Sequence, residues 1–125
     1  MTIPVERMRA LRWGYELLQE MGQDQSLPQE ARARPGALLA VYPMPHALAQ
    51  HVSDERGGLP MTWADAMAEA QDLFQEVGIS GQGSVQTRRS LLFTRRHYPD
   101  RSLIGLMMRV RSLQDWLAAE EAFRR

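Results

Sequence analysis

The sequence predicts an all-α protein, a compact bundle of six to seven short helices drawn from two pseudo-repeated three-helix modules. Three observations carry this. Glu16-Leu17-Leu18-Gln19-Glu20-Met21-Gly22 returns 56 positions later as Asp72-Leu73-Phe74-Gln75-Glu76-Val77-Gly78, and the same gap-free offset places Tyr42-Pro43 onto Tyr98-Pro99. Apolar residues recur at helical spacing, most cleanly at Trp63, Ala66, Met67, Ala70, Leu73, Phe74 and Val77. Four of the apolar stretches are closed by Gly22, Gly78 or a Tyr-Pro pair, which cannot easily continue a helix.

Taken in order, Thr2 is placed to cap a first helix, and Pro4 is tolerated in its first turn. This helix should run from about Pro4 to Met21, with Gly22 as its stop. Met8, Leu11, Tyr15 and Leu18 fall on one side and Ala10, Trp13, Leu17 and Met21 on nearly the opposite side. A helix apolar over most of its circumference is buried on several sides, so this one should be central. Pro28 is a plausible first-turn residue for a second helix. Pro35 leaves two options: a kink within that helix, or a separate short helix from Pro35 to Val41. Pro45 opens a third helix to about Val52.

Ser53 to Gly58 reads as a linker between two modules, 1–56 and 57–125, that share one core. Thr62 and Asp65 form an acceptable capping signature for a fourth helix, Trp63 to Val77. Gly78 to Ser84 reads as a loop, followed by a fifth helix from Ser84 or Val85 to His97 and a sixth from about Ser102 to Val110. Ser112 with Asp115 caps an expected last helix, Ser112 to Phe123, that has no counterpart in the first module. A unit of about 50 residues has little core of its own, so two copies should bury each other's apolar faces. The shared core is expected at Ala10/Ala66, Leu11/Met67, Gly14/Ala70, Leu17/Leu73, Leu18/Phe74 and Met21/Val77, with the small residues at 14 and 70 marking close helix approach.

Composition narrows the function classes. Fifteen basic residues balance fifteen acidic ones, which argues against a general polyanion binder or an acidic DNA mimic. All the basic residues are Arg, as expected of a GC-rich bacterial genome; planar bidentate recognition would also favour Arg. With no Cys there is neither a disulfide framework nor thiolate chemistry. No apolar run is long enough to span a membrane and no secretory signal is visible, so a cytoplasmic location is the default expectation.

The first half resembles a family of short uncharacterised helical proteins from GC-rich proteobacteria. The likeness rests on Thr2-Ile3-Pro4, Glu6 to Leu11, Ser26-Leu27-Pro28 and Tyr42-Pro43, within residues 2–45, and Arg96-His97-Tyr98-Pro99 echoes the ending in the second half. It implies a small helical module, here in tandem duplicate, and supplies no activity. The sequence departs from the family pattern at Pro35-Gly36 and at Thr94-Arg95.

Two charged features are the candidate sites. Between Ile79 and Arg111 stand seven Arg, among them Arg88, Arg89, Arg95, Arg96 and Arg101, against one acid, Asp100. On a straight helix Arg88 and Arg95 point one way and Arg89 and Arg96 another, with Leu91, Leu92 and Phe93 between and around them. Just before them, Asp65, Glu69, Asp72 and Glu76 line one helical face. Two surfaces of opposite sign point to steered association with an unidentified protein or with a second copy. Nucleic acid is the alternative partner, with Tyr98 offered for base stacking; solvated charge is the plainest reading of both features.

His46, His51 and Asp54 lie too far apart on a helix for a metal site, since ligand pairs there favour a spacing of four. The glycines from Gly78 to Gly83 follow a helix and lack a Lys, unlike a phosphate-binding loop. No nucleophile stands near a recognisable turn motif. No catalytic residue, cofactor or metal is therefore expected, and a non-enzymatic interaction protein is the leading expectation.

Overall fold

A computed structural model describes residues 2–118. Among them the chain forms six helices and no strand: α1 (Pro4–Gln23), α2 (Gln29–Leu39), α3 (Pro45–Ser53), α4 (Met61–Ser80), α5 (Val85–His97) and α6 (Arg101–Arg109). No helix among the described residues is long and apolar enough to cross a membrane.

The apolar circumference of α1 places it at the centre, in contact with α2, α3, α4 and α5. α2 and α5 each pack against both α1 and α4, so the four close a ring in the order α1, α2, α4, α5, and α1 touches α4 across the middle. α3 lies against α1, and α6 against α4. The twelve residues expected as shared core are all buried, including Leu17 and Leu73. Burying apolar surface at roughly 25 cal/mol per Å² is what holds such short helices in place, because few of them would persist alone.

At the middle of the ring two tyrosines meet. The Tyr42 hydroxyl lies 2.7 Å from the Leu11 carbonyl oxygen, and the Tyr98 hydroxyl lies 2.9 Å from that of Met67. The two hydroxyl oxygens are 3.2 Å apart. Two protons serve three contacts, so one is shared. Burial pushes the Tyr98 hydroxyl well above its ordinary range and Tyr42 likewise, so both are neutral donors. The glycine at position 14 is explained here. A Cβ on Gly14 would lie 2.7 Å from the Tyr42 hydroxyl oxygen and 2.8 Å from the Tyr98 ring. The sequence pointed to close helix approach at this position; the group that approaches is the tyrosine pair.

Several boundaries differ from expectation, each for a local reason. Ile3 takes the N-cap position of α1, where Glu6 accepts its N–H at 2.9 Å, while Thr2 bonds to His97 instead. α1 continues past Gly22 to Gln23, since a lone Gly costs only about 1 kcal/mol in a helix. α2 runs unbroken through Pro35, which is buried like Leu38, so of the two expected options the separate helix from Pro35 to Val41 does not occur. Pro28 and Pro60 occupy N-cap positions, so Thr62 lies inside α4 and does not cap it. α4 also runs through Gly78, and Gly81, at φ 70° in the left-handed region, stops it.

Of the expected linker, Ser53 ends α3 and Asp54 to Gly58 form a tethered connection. Leu59 N–H donates to the Met107 carbonyl at 2.9 Å, and the His51 ring bonds the Gly58 carbonyl. A Cβ on Gly58 would lie 2.4 Å from the Met108 carbonyl oxygen.

No helix begins at Ser112 among the described residues. Val110 to Ala118 is irregular apart from one turn, closed by Leu117 N–H donating to Leu113 at 2.7 Å. Leu113 and Leu117 are buried, and Arg7 holds the segment by donating to the Trp116 carbonyl at 2.8 Å. The remainder of the expected last helix, with Phe123, lies outside the described residues.

Candidate functional site

α5 carries the strongest concentration of unbalanced charge. Its start is well defined: the Ser84 hydroxyl accepts from Thr87 N–H at 3.1 Å, an N-cap bond. Asp24, in the loop after α1, accepts from Ser84 N–H at 2.9 Å and from Ser26 N–H at 2.8 Å. Partial burial alone would raise the Asp24 carboxyl; the hydrogen bonds from Ser84, Thr87 and Ser26 outweigh it and bring it down to about 2.

The inner side of α5 is Thr87, Leu91 and Thr94, all buried. Its contact with α1 is partly polar. Ser90 Oγ donates to Glu20 at 3.1 Å, and Thr87 Oγ1 lies 3.3 Å from the same carboxylate. With polar groups spent inward, the large apolar residues face out: Leu92 is 72% exposed and Phe93 51%.

At 100° per residue, Arg88 and Arg96 lie about 40° to either side of Leu92, and Arg89 and Arg95 about 60° to either side. The two directions expected from sequence are thus the flanks of one outward face with a leucine at its middle. All four Arg are exposed. Among the described residues none of the four forms an ion pair, whereas Arg12, Arg34, Arg56 and Arg101 do. Arg95 lies against Gly78, where a Cβ would come within 2.3 Å of its guanidinium.

Two recesses flank this face. One, of about 590 Å³, is an open groove lined by Arg89, Leu92, Phe93, Arg95 and Arg96. The other, of about 350 Å³, lies between α1 and α5 and is lined by Trp13, Glu16, Leu17, Glu20, Ser90, Phe93 and Thr94. Phe93 is the ridge they share. Trp13 stands out here: its place on an apolar arc of α1 pointed to the core, but it is only half-buried and opens onto this recess.

The other candidate residues are placed elsewhere. Asp65, Glu69, Asp72 and Glu76 are all exposed on α4. Asp72 pairs with Arg101 of α6, and Glu76 with Arg34 of α2 at 2.5 Å. Half of the acidic row is therefore matched by cations of the same chain, and Arg101 belongs to that row's surroundings rather than to the α5 face. Tyr98 is buried at the tyrosine seam and only borders a recess of about 150 Å³ that it shares with Phe74 and Arg95, so it does not stand out on the surface as the expected stacking residue. His51 is half-buried, edge-on to Trp63, and His46 is exposed; among the described residues no group of three or more His, Asp or Glu is placed to hold a metal ion.

Comparison with protein-family models, with curated proteins and with solved structures gives no match for this chain.

Proposed function

We propose that this chain is a non-enzymatic protein–protein interaction module, an adaptor, regulator or inhibitor of a larger bacterial or mobile-element complex, and that α5 is its docking face. One observation carries the reading: Leu92 stands exposed at the middle of four Arg that have no ion-pair partner among the described residues. Arg and large apolar or aromatic groups together are the side chains that dominate protein interfaces. A surface built only to follow phosphates would have no use for an exposed Leu92 at its centre and Phe93 at its edge, and Tyr98, the aromatic expected to stack, is buried.

Capture from host lysate tests this, comparing the unaltered chain with Leu92→Asp and with Arg111→Glu as a control away from α5. Loss of captured protein with the first variant alone is expected. Turnover of a substrate that disappears on replacing a particular acid or base, or a salt-sensitive DNA shift unaffected by Leu92→Asp, overturns the reading.

The scaffold presenting this face is, in the same proposal, a duplicated three-helix module with halves 1–56 and 57–125. Its support is the register. α2 and α5 begin 56 residues apart, α3 and α6 likewise, and α1 and α4 are each 20 residues long. The two tyrosines and their two carbonyl acceptors also stand 56 apart.

A further inference from the structure

Resting on the reading of α5 as a docking face, we infer that its occupant is an acidic amphipathic helix. It would lie along α5 with its apolar ridge against Leu92, Phe93 and Trp13 and its carboxylates over Arg88, Arg89, Arg95 and Arg96.

Charge complementarity selects the sign. From Val85 to His97 there is no acidic residue. The carboxylates on the α1 side of the neighbouring recess are already engaged: Glu16 pairs with Arg12 at 2.7 Å, and Glu20 accepts from Ser90 and Thr87. The unmatched charge of this face is therefore positive, and Arg favours carboxylates through two parallel hydrogen bonds.

Shape selects the helix. Among the described residues there is no strand, so an extended peptide finds no sheet edge to join. The exposed apolar residues Val85 and Leu92 are seven apart, two helical turns or about 10.5 Å along α5, which a partner helix meets with its own i and i+7 positions. The α1/α5 recess runs beside them, with Trp13 and Phe93 on its walls.

The test uses the full ¹⁵N-labelled chain and three probes: an amphipathic peptide of about 18 residues with Leu and Phe on one face and Glu on its flanks, the same peptide with every Glu replaced by Lys, and a short DNA duplex. The acidic peptide is expected to shift the Trp13 indole signal and the amides of residues 89–93. Its affinity should fall about tenfold or more with Leu92→Asp, and also on raising ionic strength from about 0.05 to about 0.3 M. Unchanged Trp63 and Trp116 indole signals establish that the variant is folded. The double variant Arg89→Glu, Arg96→Glu should reverse the preference toward the Lys peptide.

Equal binding of the Lys peptide by the unaltered chain overturns the acidic assignment and leaves α5 as a docking face. DNA that shifts the same amides while the acidic peptide does not overturns both that assignment and the reading it rests on. Self-association in sedimentation that Leu92→Asp abolishes, with no peptide bound, makes the occupant a second copy and overturns the inference. Absence of any α5 shift with all probes also overturns it, with the lysate capture deciding separately whether α5 docks a protein at all.

Discussion

Single residues at the seam carry disproportionate weight. Gly14→Ala is expected to cost about 1–3 kcal/mol, because the added methyl overlaps two buried tyrosines that have nowhere to move. Gly58→Ala should cost about as much for a different reason: its obstacle is the backbone of α6, which cannot swing aside as a side chain can. Urea denaturation of each variant measures both. Tyr42→Phe and Tyr98→Phe should each cost about 1 kcal/mol. The double variant should cost measurably less than the sum, since the two hydroxyls share one network. The small residue at 14 was legible in the sequence as a place of close approach. What approaches it was not, because Tyr42 lies 28 positions away and reaches Gly14 only once the ring has closed.

At the scale of elements, α5 is held by its ends and by polar contacts more than by a broad apolar face. Ser84→Ala, which removes the N-cap acceptor, should cost about 1 kcal/mol. Asp24 links the loop after α1 to the start of α5. Its folded-state pKa, about 2, lies below the ordinary 3.8, so the folded state binds this proton less readily than the unfolded chain does. The stability it contributes is complete above the ordinary value and is lost as pH falls toward about 2. Asp24→Asn should flatten that part of an acid-denaturation curve, followed by circular dichroism. Helix positions were largely legible because Pro, Gly and apolar spacing act locally. The ends of α4 were not: Gly78 looks like a stop by propensity, but it lies inside the helix beneath Arg95, and the left-handed Gly81 terminates α4.

For the whole molecule, the closed ring predicts cooperativity. α2 packs on α4 as well as on α1, and α5 on α1 as well as on α4, so neither half buries its apolar surface without the other. Urea unfolding should give one transition, with tryptophan fluorescence from Trp13, Trp63 and Trp116 coinciding with circular dichroism. Two separated transitions would show the halves to be independent. The same closure sorts the charges. It brings Arg34 and Arg101 to the acidic row of α4 and leaves the four Arg of α5 without an ion-pair partner among the described residues.

By itself the sequence determined the helical class, the approximate places of the six helices and the twelve paired core positions from Ala10 to Val77, because these follow from spacing and backbone chemistry within a few turns of chain. Only the tertiary structure decided which charges are matched and which apolar side chains stay in water. Both depend on groups far apart in sequence: Glu76 meets Arg34 across 42 positions, and Glu20 meets Ser90 across 70. A helical projection shows where Leu92 points relative to its own neighbours. Whether another helix covers that direction is settled by packing, and none among the described residues does.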